Sequence, residues 1–505
     1  MNRRQSLKAL AISAISSEIL LAVSCKKNLD PKLYGQLSPI NFPKTASDFD
    51  SYSVEVYKPW TAKWGYQDQA FQDLFYGYEY SNCQMNDGSS DIFAVFPEWG
   101  GFYTTFSQAD FRFLINQDKT SHFEKLRFIT RLTKILGDLE STKALDNQTQ
   151  TLLMAETRMS RGWMMYCLWT MYGPLPVITD ASQIGTDAEN DMTRPAEETY
   201  LAVALNDLQF AADNLPQTPA EYGRFNKGLA LSILMRTYLQ QKDYKNAETT
   251  GRQIQAMGYS LLSSYRNLFR SATEVNNETI YAISCDDVSD GQPDQGNMNA
   301  WSYYLYPADF PGITQKGGWA SPNGAYTPTW AFYDSFDAKD VRRAMMVPSY
   351  TNLSGQPRDR SNMRGPVLMK YPDEDKSPST LQGNDIPVIR YADVLLMLAE
   401  AISHNNNGPT SEAIQMVNSV RSRAGIAALS ASDTASMQAF DDALLRERGW
   451  ELCFEGQRRI DLMRLGQWEN LVGKVTGKLP GPALFPVPQY AINSGNGKLT
   501  QTPGY

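Results

Sequence analysis

Apolar residues recur at three- and four-residue spacing from Phe123 onward, the period of a helix with one buried face. FEKLRFITRLTKILGDLES (123–141) and NQTQTLLMAETRMSRGWMMYCLWTMYG (147–173) predict two packed antiparallel helices, the second stopped by Gly173-Pro174. ETYLAVALNDLQFAADNLP predicts another helix, and FNKGLALSILMRTYLQQKDYKNAETTGRQIQAMG a helix, a Lys242-Asp243 turn and a further helix. Here Ala230, Tyr238, Leu239, Tyr244 and Ala247 stand where a tetratricopeptide unit interdigitates small and large side chains. VIRYADVLLMLAEAISH with SEAIQMVNSVRSRAG, and SMQAFDDALLRERGWELCFEG with RRIDLMRLGQWEN, predict two more pairs. The expected fold is mainly α: a tetratricopeptide-like scaffold of about four helix pairs, with long irregular loop insertions and little β structure.

Two stretches lack this periodicity. One is rich in Gly, Asn and aromatics and runs to about residue 110; the other lies between about Cys285 and Ile386. A structureless loop as long as the second, inside a domain, points to function. The expected layout is a signal peptide at 1–24, a tether at 25–40 and one domain at 41–505. Within that domain the helical scaffold falls at about 111–284 and 386–475, and ligand-binding loops at about 60–110 and 285–385.

The first residues set the location. Arg3, Arg4 and Lys8 precede a mostly apolar stretch, Ala9 to Val23, that is too short to span a bilayer and ends in small residues before Cys25. This is the pattern of an export signal. Leu21-Ala22-Val23-Ser24-Cys25 resembles a bacterial lipobox, which implies that Cys25 is lipidated and becomes the new N-terminus. Arg3-Arg4 also resembles a twin-arginine signal, which changes the export route and not the destination. The formal net charge of −8, without Lys/Arg clusters beyond the leader, argues against nucleic acid as partner. Cys83, Cys167, Cys285 and Cys453 are scattered singly, so neither a disulfide framework nor a zinc knuckle is expected.

The block RERGWELCFEGQRRIDLMRLG gathers Glu447, Glu451, Glu455 and Asp461 among Arg446, Arg448, Arg458 and Arg459. Four-residue spacing puts the three glutamates on one helical face, so a structural ion-pair network is expected in place of a catalytic cluster. No sequence marker singles out a carboxylate pair for glycoside hydrolysis. His122 and His404 belong to no metal or nucleophile motif and are expected at the surface. Asp286, Asp290 and Gly291 only partly follow a calcium loop, and a solvated turn is expected there. No catalytic residue, metal or cofactor is therefore assigned.

A pyranose has an apolar face that stacks on indole or phenol, and hydroxyls that need amide or carboxylate partners. Two loop stretches mix these residue types. NCQMNDGSSDIFAVFPEWGGFY offers Asn82, Asn86, Asp87, Asp91, Trp99 and Tyr103; NMNAWSYYLYPADFPGITQKGGWASPNGAY offers Asn299, Trp301, Tyr304, Trp319, Asn323 and Tyr326. The ligand contacts expected are Asn82, Asn86, Asp87, Trp99, Trp301, Tyr304, Trp319 and Tyr326. Trp60 and Trp64 form a weaker candidate pair, whereas Trp163, Trp169, Trp330, Trp450 and Trp468 lie in helical patterns and are expected to pack.

In joint order, SCKKNLDP, AETRMSRGWMMYCLWTMYGPLPVI, the tetratricopeptide-like helices, FDAKDVRRAMM, MKYPDEDKSPSTLQGNDIPVIRYADVLLMLAEA, the RERGWELCFEGQRRIDLMRLG block and LFPVPQYAIN…LTQTPGY resemble the SusD/RagB family of outer-membrane lipoproteins. The resemblance implies a surface-exposed, lipid-anchored, non-enzymatic protein that binds an oligosaccharide and caps a TonB-dependent transporter of the SusC type. A peptide-binding member of the same family is the nearest alternative. A tetratricopeptide adaptor should have short loops, and a secreted hydrolase should release product from a glycan.

Overall fold

The scaffold helices form where the apolar period meets capping residues. In a computed structural model of the protein, the residues described are 42–62, 75–76, 81–96, 101–117, 122–285, 297, 299–313, 324–371 and 382–505. Helix α1 (Leu126–Ser141) buries Phe128, Ile129, Leu132, Ile135, Leu136 and Leu139 along one stripe. Helix α2 (Asn147–Tyr172) begins where the Asp146 carboxylate accepts the Thr149 N–H at 2.9 Å and ends at Gly173, whose φ of +74° suits a residue without Cβ. From Trp163 to Tyr172 every residue of α2 is buried, so this helix is central rather than superficial.

Helices α3 (Glu197–Asn214), α4 (Lys227–Gln240) and α5 (Tyr244–Gln255) follow, with Asn226 and Asp243 capping the last two. Then α6 (Tyr391–Asn405), α7 (Ser411–Arg423) and α8 (Met437–Glu451) complete the stack, and the short α9 (Arg458–Arg464) leads into the C-terminal segment. Each helix from α1 to α6 packs on the next, and α6 touches both α7 and α8. The α5–α6 contact spans the long insertion between them. A Cβ on Gly251 of α5 would stand 2.7 Å from Met235 Cε of α4 and 2.9 Å from Leu398 Cδ1 of α6, so any other residue there would push those side-chain tips aside.

Short antiparallel strand pairs close the insertions. Strands β1 (Phe93–Val95), β2 (Thr279–Ile283), β3 (Tyr326–Pro328) and β4 (Ile386–Arg390) pair as β1 with β3 and β2 with β4. Met346–Val347 pairs with Val367–Leu368, and Tyr350–Thr351 with Pro357–Arg358. The β2–β4 pair draws the two ends of the second loop region together.

Two boundaries differ from the periodic reading. VIRY does not open a helix: Pro387 biases Ile386 toward extended backbone, β2 offers ladder partners, and α6 starts only at Tyr391. At the other end α8 stops at Glu451, and Glu455 lies in a turn where Phe454 and Gly456 have φ of +60° and +75°. Residues 1–49 and 50–505 are separate compact units. Of the first, residues 42–49 are described, and there the Lys44 and Thr45 backbone N–H groups both donate to the Asp48 carboxylate at 2.9 Å.

Candidate functional site

The two loop regions meet on the turn that follows α8. In the first, the Ser81 hydroxyl and the Gln84 side chain cap the short helix Asn82–Asp87 reciprocally. That helix is clamped to the turn by four hydrogen bonds. Asn86 Nδ2 donates to the Gly456 carbonyl at 3.1 Å, and the Gly456 and Arg458 N–H groups donate to the Asp87 carboxylate at 3.0 and 2.9 Å. Arg459 Nε donates to Asn86 Oδ1 at 2.9 Å. A Cβ on Gly456 would lie 3.2 Å from the Asn82 backbone, so the approach and the positive φ both call for glycine. Burial is the main influence on the Asp87 carboxyl and raises it to about 7, while the two N–H donors pull it back.

Strand β1 then pairs with β3 of the second region, joining Phe93 to Pro328 and Val95 to Tyr326. Phe454 is the hub: its ring centroid lies 5.3 Å from Phe93, 5.2 Å from Trp301 and 6.0 Å from Tyr326. Tyr326 continues the cluster to Tyr304 at 6.4 Å and Tyr103 at 6.2 Å. Aromatic groups from two loops remote in sequence thus form one wall on a scaffold turn.

Within that wall the expected contacts have other tasks. Trp301 is 1% exposed and meets Phe454 edge-on, and Tyr304 and Tyr326 are fully buried, so none of the three offers a free face for stacking. Asn82, Asn86 and Asp87 are buried as well, the last two spent on the Gly456 turn. These six side chains support the loops from beneath, because the hydrogen bonds and ring contacts that fix the loops use the same residue types that hold a sugar. Trp99, Trp319, Trp64, Asn323, Asp286, Asp290, Gly291 and Cys25 lie outside the described residues. Trp60 stacks on Trp163 at 3.6 Å and donates to Ser160 at 2.8 Å, which makes it core. His122 is buried beside Phe75, against the surface position expected, because its left-handed backbone turns the chain inward before α1. His404 is half-buried, stacked on Tyr244 at 4.1 Å.

Of a set of polar groups behind the wall, the sequence reading offered Asn299 and Trp301 and missed Tyr371, Gln382 and Asn384. The Asn299 and Gln382 backbones exchange two hydrogen bonds at 2.8 Å, Asn299 Nδ2 donates to the Asn384 carbonyl at 3.1 Å, and Asn299 Oδ1 accepts the Trp301 N–H at 2.9 Å. Around this knot Trp301 Nε1, the Tyr371 hydroxyl, both Gln382 side-chain atoms and Asn384 Oδ1 are buried without a hydrogen-bond partner among the described residues. Buried donors and acceptors of this kind are met by water or by a ligand. The available signal was the polar GND triplet directly before an apolar strand, which periodicity alone passes over.

Known proteins place this architecture. The sequence model of the SusD family matches residues 345–505, and that of the family described as starch-binding, associating with outer membrane, matches residues 109–239. The SusD-like protein P25 of Formosa agariphila is 24% identical over 488 residues, covering 89% of this chain and 88% of its own. The starch-binding protein SusD of Bacteroides thetaiotaomicron is 23% identical over 595 residues, covering 99% of each. The chain belongs to the SusD/RagB family. Its fold matches that of surface glycan-binding protein A from Bacteroides thetaiotaomicron, solved with laminarihexaose, at a TM-score of 0.74 and 17% identity, covering 92% of this chain and 100% of that one. It also matches a laminarin-binding SusD-like protein at 0.70 and 22%, with the same coverage.

In this SusD/RagB chain the terminal block is an ion-pair centre, as its spacing suggested, but most cations come from elsewhere. Arg342 bridges Asp340, Glu447 and Glu451, and Arg390 bridges Glu278, Glu451 and Glu455. Of the block's own arginines, Arg448 joins Asp461 to Asp393, whereas Arg458 pairs with Asp91, Arg459 serves Asn86 and Arg446 reaches Asp433. Burial would raise the Asp393 carboxyl, but Arg236 and Arg448 hold it down at about 2. Every carboxylate of this centre faces a cation. Among the described residues no cluster of His, Cys, Asp or Glu is arranged to hold a metal, and no helix is long and apolar enough to cross a membrane.

Proposed function

We propose that this protein is a lipid-anchored, surface-exposed binding protein of the outer membrane that captures a nutrient oligosaccharide and passes it to a TonB-dependent transporter of the SusC type, without catalysing any reaction on it. The observation that carries the reading is the convergence of two loop regions on Phe454, with buried donors and acceptors behind them that lack a partner among the described residues. Trp99 stands four residues beyond Val95 and Trp319 seven before Tyr326, each just outside a paired strand. The paired strands beside them are fixed before any ligand arrives, so little ordering cost is left there to binding. Relatives named for starch and neighbours named for laminarin support a glycan as ligand. Acyl chains on Cys25 would hold the protein at the membrane, each buried methylene contributing about 0.8 kcal/mol.

Isothermal titration with panels of hexasaccharides and of peptides tests this reading. Binding of at least one glycan and of no peptide is expected, with the Trp99→Ala, Trp319→Ala double variant weakening the glycan at least about tenfold, from the loss of two stacked rings. Peptide binding alone, or a double variant with unchanged glycan affinity, would overturn it.

A further inference from the structure

A pocket lies outside the aromatic wall, with none of the wall's residues in its lining. It has a volume of about 390 Å³, within the range of roughly 300–1,000 Å³ that holds small ligands. It opens between the α3–α4 connection, the segment after α5 and strand β2, with Gln217, Tyr222, Tyr259, Glu274, Asn277 and Tyr281 in its lining.

Tyr222 is 56% exposed, the most exposed aromatic side chain among the described residues, and Val275 beside it is 74% exposed. An aromatic ring so open to water is normally free to swing, but this one is tethered at its tip. Its hydroxyl donates to Asp385, a buried carboxylate whose other oxygen accepts the Cys285 N–H at 2.8 Å. The loop beneath it is fixed too: the Tyr281 hydroxyl donates to the Gly223 carbonyl at 3.1 Å, and Gly223 takes a φ of +88°. The ring is therefore a rigid apolar platform whose ordering cost is met before any ligand arrives.

The charged residues of the lining are Arg224 and Glu274. Arg224 is paired with Glu156 and Glu221, and Glu274 accepts the Asp385 N–H at 3.3 Å. What remains is a fixed phenol face beside amide and hydroxyl groups, the combination that suits a neutral ring with one apolar face and a rim of hydroxyls.

We infer that this pocket is a second saccharide subsite, with Tyr222 as its stacking platform. The inference rests on the glycan-binding reading and adds a place on the molecule. The two places share a segment: Gln382 and Asn384 serve the polar knot behind the wall, and Asp385 holds Tyr222.

Hydrogen–deuterium exchange read by mass spectrometry, on the full chain with laminarihexaose, maltohexaose, xylohexaose and mannohexaose, separates the two readings. Ligand-dependent protection is expected in peptides covering 215–226 and 271–282, lost in Tyr222→Ala, while protection at 299–306 and 326–328 persists. Tyr222→Phe keeps the ring and loses the tether, so it should weaken this subsite several-fold without abolishing it. Protection at the wall alone, or pocket protection unchanged in Tyr222→Ala, would overturn the subsite and leave the main reading standing. Protection at the pocket alone would uphold the subsite and remove the wall, and protection at neither would overturn both.

Discussion

Asp87 shows how a loop residue can look like a ligand contact and act as a fastener. Its two carboxyl oxygens take the N–H groups of Gly456 and Arg458. Asp87→Asn would turn an NH₂ toward one of those donors and should cost about 1–3 kcal/mol in urea unfolding. Because the folded carboxyl sits near 7, above its unfolded value near 4, the folded state holds a proton that the unfolded chain has released. Its contribution to stability is full below about pH 4 and is lost as pH rises toward 7, and Asp87→Asn should remove that slope from a stability profile. An amide or acid in a Gly-rich loop carries the same letter whether it faces a sugar or a backbone, which is why Asn82, Asn86 and Asp87 read as ligand contacts. Trp301 misled for a related reason: its Gly- and Asn-rich neighbours hid Phe454, its packing partner far along the chain.

At the scale of elements, the helices were legible because burial imposes a period, and the caps Asp146, Asn226 and Asp243 stand at their starts. Strand β4 was not, since IPVIR is buried on both faces and an apolar run without alternation fits helix or strand equally. Only its partner β2, distant in sequence, decides between them. The α4–α5–α6 contact depends on Gly251. Gly251→Val would force Met235 and Leu398 aside, and overpacking of this kind should cost about 1–3 kcal/mol, read as a lowered midpoint in thermal or urea unfolding. Unchanged stability would mean that the three helices are not held at this distance.

Across the whole molecule, buried ion pairs tie the insertion ends to the scaffold. Arg390 at the end of β4 meets glutamates on β2's approach, on α8 and in the turn after it. Arg390→Met would strand those charges in the interior, and should destabilise by about 3–5 kcal/mol while leaving helical content in the surviving folded fraction unchanged. Asp393, held at about 2 by its arginines despite burial, gives stability that is full above its unfolded value near 4 and lost as pH falls toward 2. A steep loss of thermal stability below about pH 4 is therefore expected, shallower in Asp393→Asn. The network's existence was readable from the carboxylate spacing, but its cations were not, because Arg342, Arg390 and Arg423 lie outside the block they neutralise. The most direct test of the central claim is glycan titration of the wild-type chain beside the Trp99→Ala, Trp319→Ala variant. A hexasaccharide that binds the first and is weakened at least about tenfold by the second would agree with ligand contact at Trp99 and Trp319; equal affinity for both would contradict it.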